Sequence, residues 1–453
     1  MLIQNRVITL NKYSMIEQCI KDMVERKKIK TGQKLPSVRE LAGKLQCSTG
    51  TVVRALKELE QQHIVYSVPK SGYYLVSKDG KQPKEPGHTI DFSTVLPDID
   101  LIPFEEFQHC QDQAMKIYKE DLASYGNAQG LPSLIQTMTK QLQDYQVFCK
   151  PSTVAITAGS QQALDILVKL DFPNGKDTIL IENPTYEPII KNLEMNKVRT
   201  IGIEKTFNGI DLNQLERLFK EQPIKFFYTI PRFHNPLGNS YSNSVKKSIL
   251  KLAQKYDVYI VEDDYLVDLD TNRKNVPIFS FDDTDRVIYL KTFSKVLLPG
   301  LRMAAVVLPA ALVASFLQFK QWSDIYTSIL PQGALDVFIK NGTFERSRLS
   351  LQRTYKERMQ FLKHTCSKFD PEILRVNVPP TGFFLSMESQ KSIRFNHIIP
   401  VMAKKGIVIK DTRENFIEKD REINVLKISV SRTDKKKIQD GILHLYDYFA
   451  NKR

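Results

Sequence analysis

Little in this sequence would staple the chain or anchor it in a membrane. Its five cysteines (Cys19, Cys47, Cys110, Cys149, Cys366) are odd in number, scattered and never in CxxC spacing. That excludes a disulfide framework and a cysteine zinc site, and it predicts reduced thiols in a cytoplasm. The seven histidines form no HExxH or other ligand cluster, so no metal is expected. The longest apolar stretch, Met303–Phe319, is interrupted by Pro309 and falls short of a membrane span. It reads instead as a buried strand (Ala304–Leu308), a proline turn and a helix. The start of the chain carries Arg6 and Lys12 and lacks the apolar core of a signal peptide. No internal repeat is visible.

What is present points to more than one domain. A chain of 453 residues exceeds one ordinary core, and 42% hydrophobic with 26% charged residues fits globular protein. The net charge of +14 is uneven: residues 1–77 hold 13 Lys/Arg against 6 Asp/Glu, which is half of the excess. A basic segment joined to a milder one predicts a polyanionic partner such as nucleic acid.

Three helices fit the first 62 residues. The first covers about Tyr13–Arg26. The second, Val38–Leu45, follows Ser37, whose spacing to Glu40 is that of a capping box. Ser48 caps a third, reaching about Gln62, with Val52, Leu56 and Leu59 facing inward. Ile64–Val68 and Tyr73–Val76 then form a hairpin with a basic tip, Pro69-Lys-Ser-Gly72. This order predicts a winged helix-turn-helix over 1–77, mostly α with a β wing. Its third helix enters the major groove of double-stranded DNA and offers Ser48, Thr49 and Thr51, while Arg39, Arg54 and Lys70 meet phosphates. Residues 78–90, almost without apolar side chains, read as a linker. From Asp91 to the end, strand-like runs alternate with helical patterns and predict an α/β domain with a largely parallel sheet.

Within 91–453 the richest stretch is Lys291-Thr-Phe-Ser-Lys295-Val-Leu-Leu-Pro-Gly-Leu-Arg302. A lysine behind small hydroxyl residues, with an arginine seven positions on, suits an imine with pyridoxal 5'-phosphate. Thr292 and Ser294 can bond phosphate oxygens and Arg302 can neutralise them. The cofactor also needs an anion cradle, an acid opposite its pyridine nitrogen and a plane for its ring. Thr157-Ala-Gly-Ser-Gln161 follows a strand and opens a helix, so Gly159, Ser160 and Gln161 can seat phosphate at the positive helix end. Val261-Glu-Asp-Asp-Tyr265 offers Asp263 for the ring nitrogen, with Asp264 as alternative, and Tyr265 for the ring hydroxyl. Asn235, in His234-Asn-Pro-Leu-Gly238, can reach the same oxygen, and Tyr186 can stack on the ring.

Both halves resemble known families. Leu35-Pro-Ser-Val-Arg-Glu-Leu-Ala42 and Ser48-Thr-Gly-Thr-Val-Val-Arg-Ala-Leu56 resemble the GntR superfamily. The joint order of phosphate turn, aromatic, Asn-Pro, Asp-x-Tyr and Ser-Lys resembles fold type I aminotransferases. Together they resemble the MocR-type regulators. That resemblance implies a pyridoxal-phosphate fold and a homodimer in which Tyr125 reaches the neighbouring subunit's phosphate. It also implies a small amine or amino-acid effector. In the aminotransferases an arginine clamps the substrate carboxylate. Lys427 stands there in this chain, with Arg432 five residues later, so these two are the candidate effector contacts. Lys291 replaces a frequent glycine and implies a more basic phosphate pocket. Two functions stay open. One is a transcriptional regulator that senses cofactor or amine through Lys295, bound to paired half-sites. The other is a working aminotransferase with an accessory DNA-binding domain. The altered arginine and the dedicated DNA-reading module favour the first.

Overall fold

A computed structural model describes residues 33–61, 64–68, 71–75 and 89–451. The chain divides into two compact units, Met1–Gly87 and His88–Arg453. The expected helix at Tyr13–Arg26, the wing-tip Lys70, Cys19 and nearly all of the expected linker lie outside the described residues.

In the first unit, α1 (Val38–Lys44) and α2 (Thr49–Gln61) pack with a hairpin of β1 (Val65–Val68) and β2 (Gly72–Leu75). The capping box forms as the spacing requires: Glu40 N donates to Ser37 Oγ at 3.2 Å, and Ser37 N donates to Glu40 Oε2 at 2.7 Å. Such a cap contributes about 1 kcal/mol to helix formation. Val52, Leu56 and Leu59 are fully buried and join Leu35, Leu41 and Val65 in a small core. The wing is antiparallel, with Val65 opposite Leu75 and Tyr66 opposite Tyr74.

The second unit opens with a two-residue strand, β3 (Ile90–Asp91). Its large sheet comprises β4 (Val154–Thr157), β5 (Thr178–Asn183), β6 (Thr200–Thr206), β7 (Gly209–Ile210), β8 (Ile224–Thr229), β9 (Tyr259–Asp263), β10 (Val287–Thr292) and β11 (Ala304–Val307). The spatial order is β4-β11-β10-β9-β8-β5-β6-β7. The pairs β10–β9, β9–β8, β8–β5 and β5–β6 are parallel, whereas β11 runs against both neighbours. Every residue of β4, β5 and β8 to β11 is buried, as a sheet with both faces covered demands. Met303–Phe319 does hold a strand, then Pro309 as the cap of the helix Ala310–Asp324.

A second core lies under a smaller antiparallel sheet of β12 (Leu374–Asn377), β13 (Phe384–Ser389) and β15 (Val425–Ser429). Between them in sequence, β14 (Ile407–Val408) pairs in parallel with β3, so the first strand of the unit is sewn to its C-terminal part.

Candidate functional site

The apolar strands turn polar at their last residues, and those ends share one edge of the sheet. Thr157, Asn183, Thr229, Asp263 and Thr292 end five parallel strands. Antiparallel β11 begins at that same edge: Ala304 lies beside Thr157 on one side and Thr292 on the other. The loops leaving this edge therefore converge, the usual place for a ligand in an open α/β sheet. They enclose a cavity of about 320 Å³. Among its walls are Ser160, Tyr186, Asn235, Asp263, Lys295 and Arg302, together with Gln161, Tyr265, Thr292, Ser294 and Lys427, all read from the sequence.

Lys295 sits three residues past β10 and its Nζ donates to the Val95 carbonyl at 2.7 Å. Burial pushes its ammonium down to about 8, although Asp263 pulls the other way. Asp263 ends β9. Burial pushes its carboxyl up to about 6, opposed by a hydrogen bond from Tyr228 to Oδ2 at 2.8 Å. Its Oδ1 is buried without a partner. A buried carboxylate oxygen left unpaired beside a cavity suits a cationic donor such as a ring N–H. Asp264 is not the pocket acid. It points to the other face of the strand, where it pairs with Arg232 and accepts from Tyr289 at 2.7 Å.

The anion seat is equally local. Gly159 caps the helix Ser160–Lys169 with φ +84°, and Arg302 takes a left-handed φ of +53° just before β11. A Cβ at Gly159 would meet Arg302 Nη2 at 2.5 Å, so only glycine leaves the guanidinium room above the helix N-terminus. Thr292 Oγ1 accepts from Ser294 N at 3.2 Å and holds the turn before Lys295. Cation, helix N-terminus and hydroxyls fit a phosphate, and Lys295 with Asp263 fits the rest of pyridoxal phosphate.

Toward the mouth, Lys427 Nζ on β15 donates to Asn235 Oδ1 at 2.8 Å. Burial, then the charges of Lys410 and Lys295, push its ammonium down to about 7. The Asn235–Pro236 bond is cis. Tyr265 donates to the Phe233 carbonyl at 2.7 Å. Burial and then Asp263 push the Tyr186 phenol up to about 12, so it stays neutral.

Two expectations, those for Lys291 and Arg432, come out differently. Lys291 does not make the pocket more basic: it is fully buried with Nζ on Asp268 Oδ2 at 2.6 Å, beneath the Phe293 ring. Strand side chains alternate, so Thr292 facing the cavity turns Lys291 away. Arg432 lies outside the cavity walls, and its Nε donates to the Pro97 carbonyl at 2.9 Å. Tyr125 is 84% exposed against Tyr326 and does not reach the cavity of its own chain. Val95, Tyr228, Glu187, Lys410 and Asn415 belong to the site as well and were not expected from the sequence. Glu187 and Lys410 form an ion pair at the cavity wall.

In the first unit, Arg39, Ser48, Thr49 and Arg54 are exposed and Thr51 is half-buried. Ser48 Oγ accepts from Thr51 N at 3.1 Å and contacts Thr51 Oγ1 at 2.8 Å, so both hydroxyls take part in capping α2. Among the described residues no metal-ligand cluster occurs, and no helix is long and apolar enough to cross a membrane.

Comparisons with known proteins agree with this division. Residues 12–75 match the family of bacterial regulatory proteins of the gntR type, and residues 104–442 match aminotransferase class I and II. The uncharacterised HTH-type transcriptional regulator YcxD of Bacillus subtilis is 40% identical over 444 residues, 96% of this chain and 98% of that protein. The chain belongs to the MocR-type regulators. Like them, this MocR-type chain fuses a gntR-type DNA-binding domain to an aminotransferase-like domain. A kynurenine aminotransferase from Pyrococcus horikoshii, solved in complex with PMP, superposes with a TM-score of 0.74 at 27% identity. It covers 81% of this chain and 92% of that one. The α-aminoadipate aminotransferase LysN of Thermus thermophilus, complexed with N-(5'-phosphopyridoxyl)-L-leucine, gives 0.72 at 27%, covering 80% and 92%.

Proposed function

We propose that this MocR-type regulator holds pyridoxal phosphate in the cavity around Lys295 and uses it to sense an amine or amino acid in the cytoplasm. Bound pyridoxal phosphate supplies an aldehyde that amines attack and a ring that withdraws electrons from them. The chain's own groups have separate tasks. Lys295 offers a lysine whose neutral form is accessible near physiological pH. Asp263 places a carboxylate for the ring nitrogen, and Arg302 with Gly159, Ser160, Gln161, Thr292 and Ser294 seats the phosphate. Tyr186 flanks the ring, while Asn235 and Tyr265 line its oxygen side. Lys427 offers the effector a single positive point in place of a guanidinium fork. Arg432, held on Pro97, would join only after a shift of that segment. The single observation that carries the reading is the convergence of Lys295, Asp263 and Arg302 on one cavity.

Exposed Tyr125 supports a homodimer in which each chain lends this ring to its neighbour's cavity. A dimer presents two winged helices, residues 1–77, through the 78–90 link, and so reads paired half-sites. Effector binding shifts DNA affinity only by its differential affinity for the two dimer arrangements.

Absorbance tests the reading. Purified protein supplied with pyridoxal phosphate gains a visible band that Lys295→Ala abolishes, and a screen of amines shifts the band for the effector. A protein that stays colourless defeats the cofactor assignment. Sustained amino-group transfer from ordinary amino acids to a keto acid favours the enzyme with an accessory DNA-binding domain.

A further inference from the structure

Behind Asn235 lies a carboxylate that the cavity does not touch. Glu182, the next-to-last residue of β5, is fully buried. Its Oε1 accepts from Lys205 Nζ at 2.9 Å, Thr229 Oγ1 at 2.7 Å and Tyr241 OH at 2.5 Å. Its Oε2 accepts from Ile230 N at 2.9 Å and faces His234 Nε2 at 3.2 Å. Burial alone would raise this carboxyl, but the Lys205 ammonium, with the hydrogen bonds the carboxylate accepts, holds it well below the ordinary range, so it is charged. Burial pushes His234 down to about 4, so its ring is neutral.

These partners are not scattered. Ile230 opens the loop that leaves β8, His234 sits in its middle beside Asn235, and Tyr241 closes it, with Tyr241 N bonded back to the Pro231 carbonyl at 2.9 Å. The carboxylate thus ties both ends of the loop that carries Asn235 by hydrogen bonds, and the ring of His234 at its centre packs against it. Replacing a buried ion pair by apolar groups is often neutral for stability, so such a pair is poorly explained as a stability device. Its effect here is geometric.

We infer that Glu182 is a positioning residue for Asn235: through Ile230, His234 and Tyr241 it fixes the amide that meets Lys427 and the cofactor's ring oxygen. The inference rests on the cofactor reading above. If the amide is held by Glu182, loosening Glu182 acts on the cofactor in the same way as removing Asn235. Losing a donor to the ring oxygen disfavours its deprotonated form and raises the pH midpoint of the visible band.

The test uses the full chain loaded with pyridoxal phosphate. Glu182→Gln alone strands Lys205, so the variant is Glu182→Gln with Lys205→Met, its folding checked by circular dichroism. Its band should titrate with about tenfold higher proton affinity, roughly the worth of one hydrogen bond to a charged group. Asn235→Ala should match it, and the combined variant should add nothing further. A folded double variant with the wild-type midpoint overturns the inference, and so does an additive combination. Should the double variant fail to fold, His234→Gln keeps the Glu182–Lys205 pair and is read by the same criteria. A colourless wild-type protein defeats the cofactor reading itself.

Discussion

The guanidinium of Arg302 occupies the space that a side chain at Gly159 would need, with Nη2 only 2.5 Å from the Cβ position. Gly159 also holds φ +84°. Gly159→Ala therefore strains the backbone by about 1–3 kcal/mol and pushes Arg302 off the phosphate seat. The expected outcome is roughly ten- to a hundredfold weaker pyridoxal phosphate binding, the scale of one charge-assisted hydrogen bond. Titrating cofactor-free protein at the visible band measures it. Unchanged affinity would place the phosphate elsewhere.

Lys295 predicts a pH dependence. Its ammonium is held at about 8 against an ordinary 10.5, through burial. Only the neutral amine is nucleophilic. The rate of cofactor capture should climb as pH rises to about 8 and then level off, whereas an unperturbed lysine keeps climbing through that point. Stability moves in the same direction. Between the folded and unfolded values the unfolded chain binds the proton more tightly, so the penalty of burying this lysine is present below 8 and relieved as pH rises toward 10.5. Stopped-flow absorbance across the range decides, and a rate still rising steeply above about pH 9 would contradict the assignment.

Lys291 separates fold from site. Lys291→Met leaves Asp268 buried with Tyr145 and without its cation, which costs about 3–5 kcal/mol. Chemical denaturation should show that loss, while the folded fraction keeps its visible band. A fully stable variant that has lost the band would return Lys291 to the cofactor cavity.

Arg39 is an exposed side chain on α1 and a phosphate partner in the proposed DNA complex. Arg39→Ala should weaken binding about equally for specific and unrelated duplexes and lower the salt slope by about 0.9 for each phosphate no longer neutralised. Fluorescence anisotropy at several salt concentrations gives the slope. An unaltered slope would exclude Arg39 from the interface.

Much of the site was legible because its residues sit where strands end. Lys295, Asp263, Arg302 and Gly159 each follow or precede a recognisable apolar run, and one sheet edge brings them together. The capping box at Ser37 and Glu40 was equally plain, since it is set by local spacing. Lys291 shows where motif reading overreached. Its neighbour Thr292 was assigned to the cavity, and alternation along β10 then requires Lys291 to leave it. Lys410 was out of reach for the opposite reason. It follows a two-residue strand, carries no motif, and meets Glu187 only because two parts of the unit pack together. Tyr228 was more accessible: β8 lies beside β9, and a tyrosine near its end can reach the carboxylate at β9's end.

The stretch Ile90–Asp98 is the first part of the second unit that the chain reaches after leaving the DNA-binding one. Its fastenings include β3 on β14, the Val95 carbonyl on Lys295, the Pro97 carbonyl on Arg432, and Asp98 on Arg358. One of these fastenings is Lys295 itself. A group that claims the Lys295 nitrogen would take it from the Val95 carbonyl, so filling the cavity removes one of the contacts that hold this stretch.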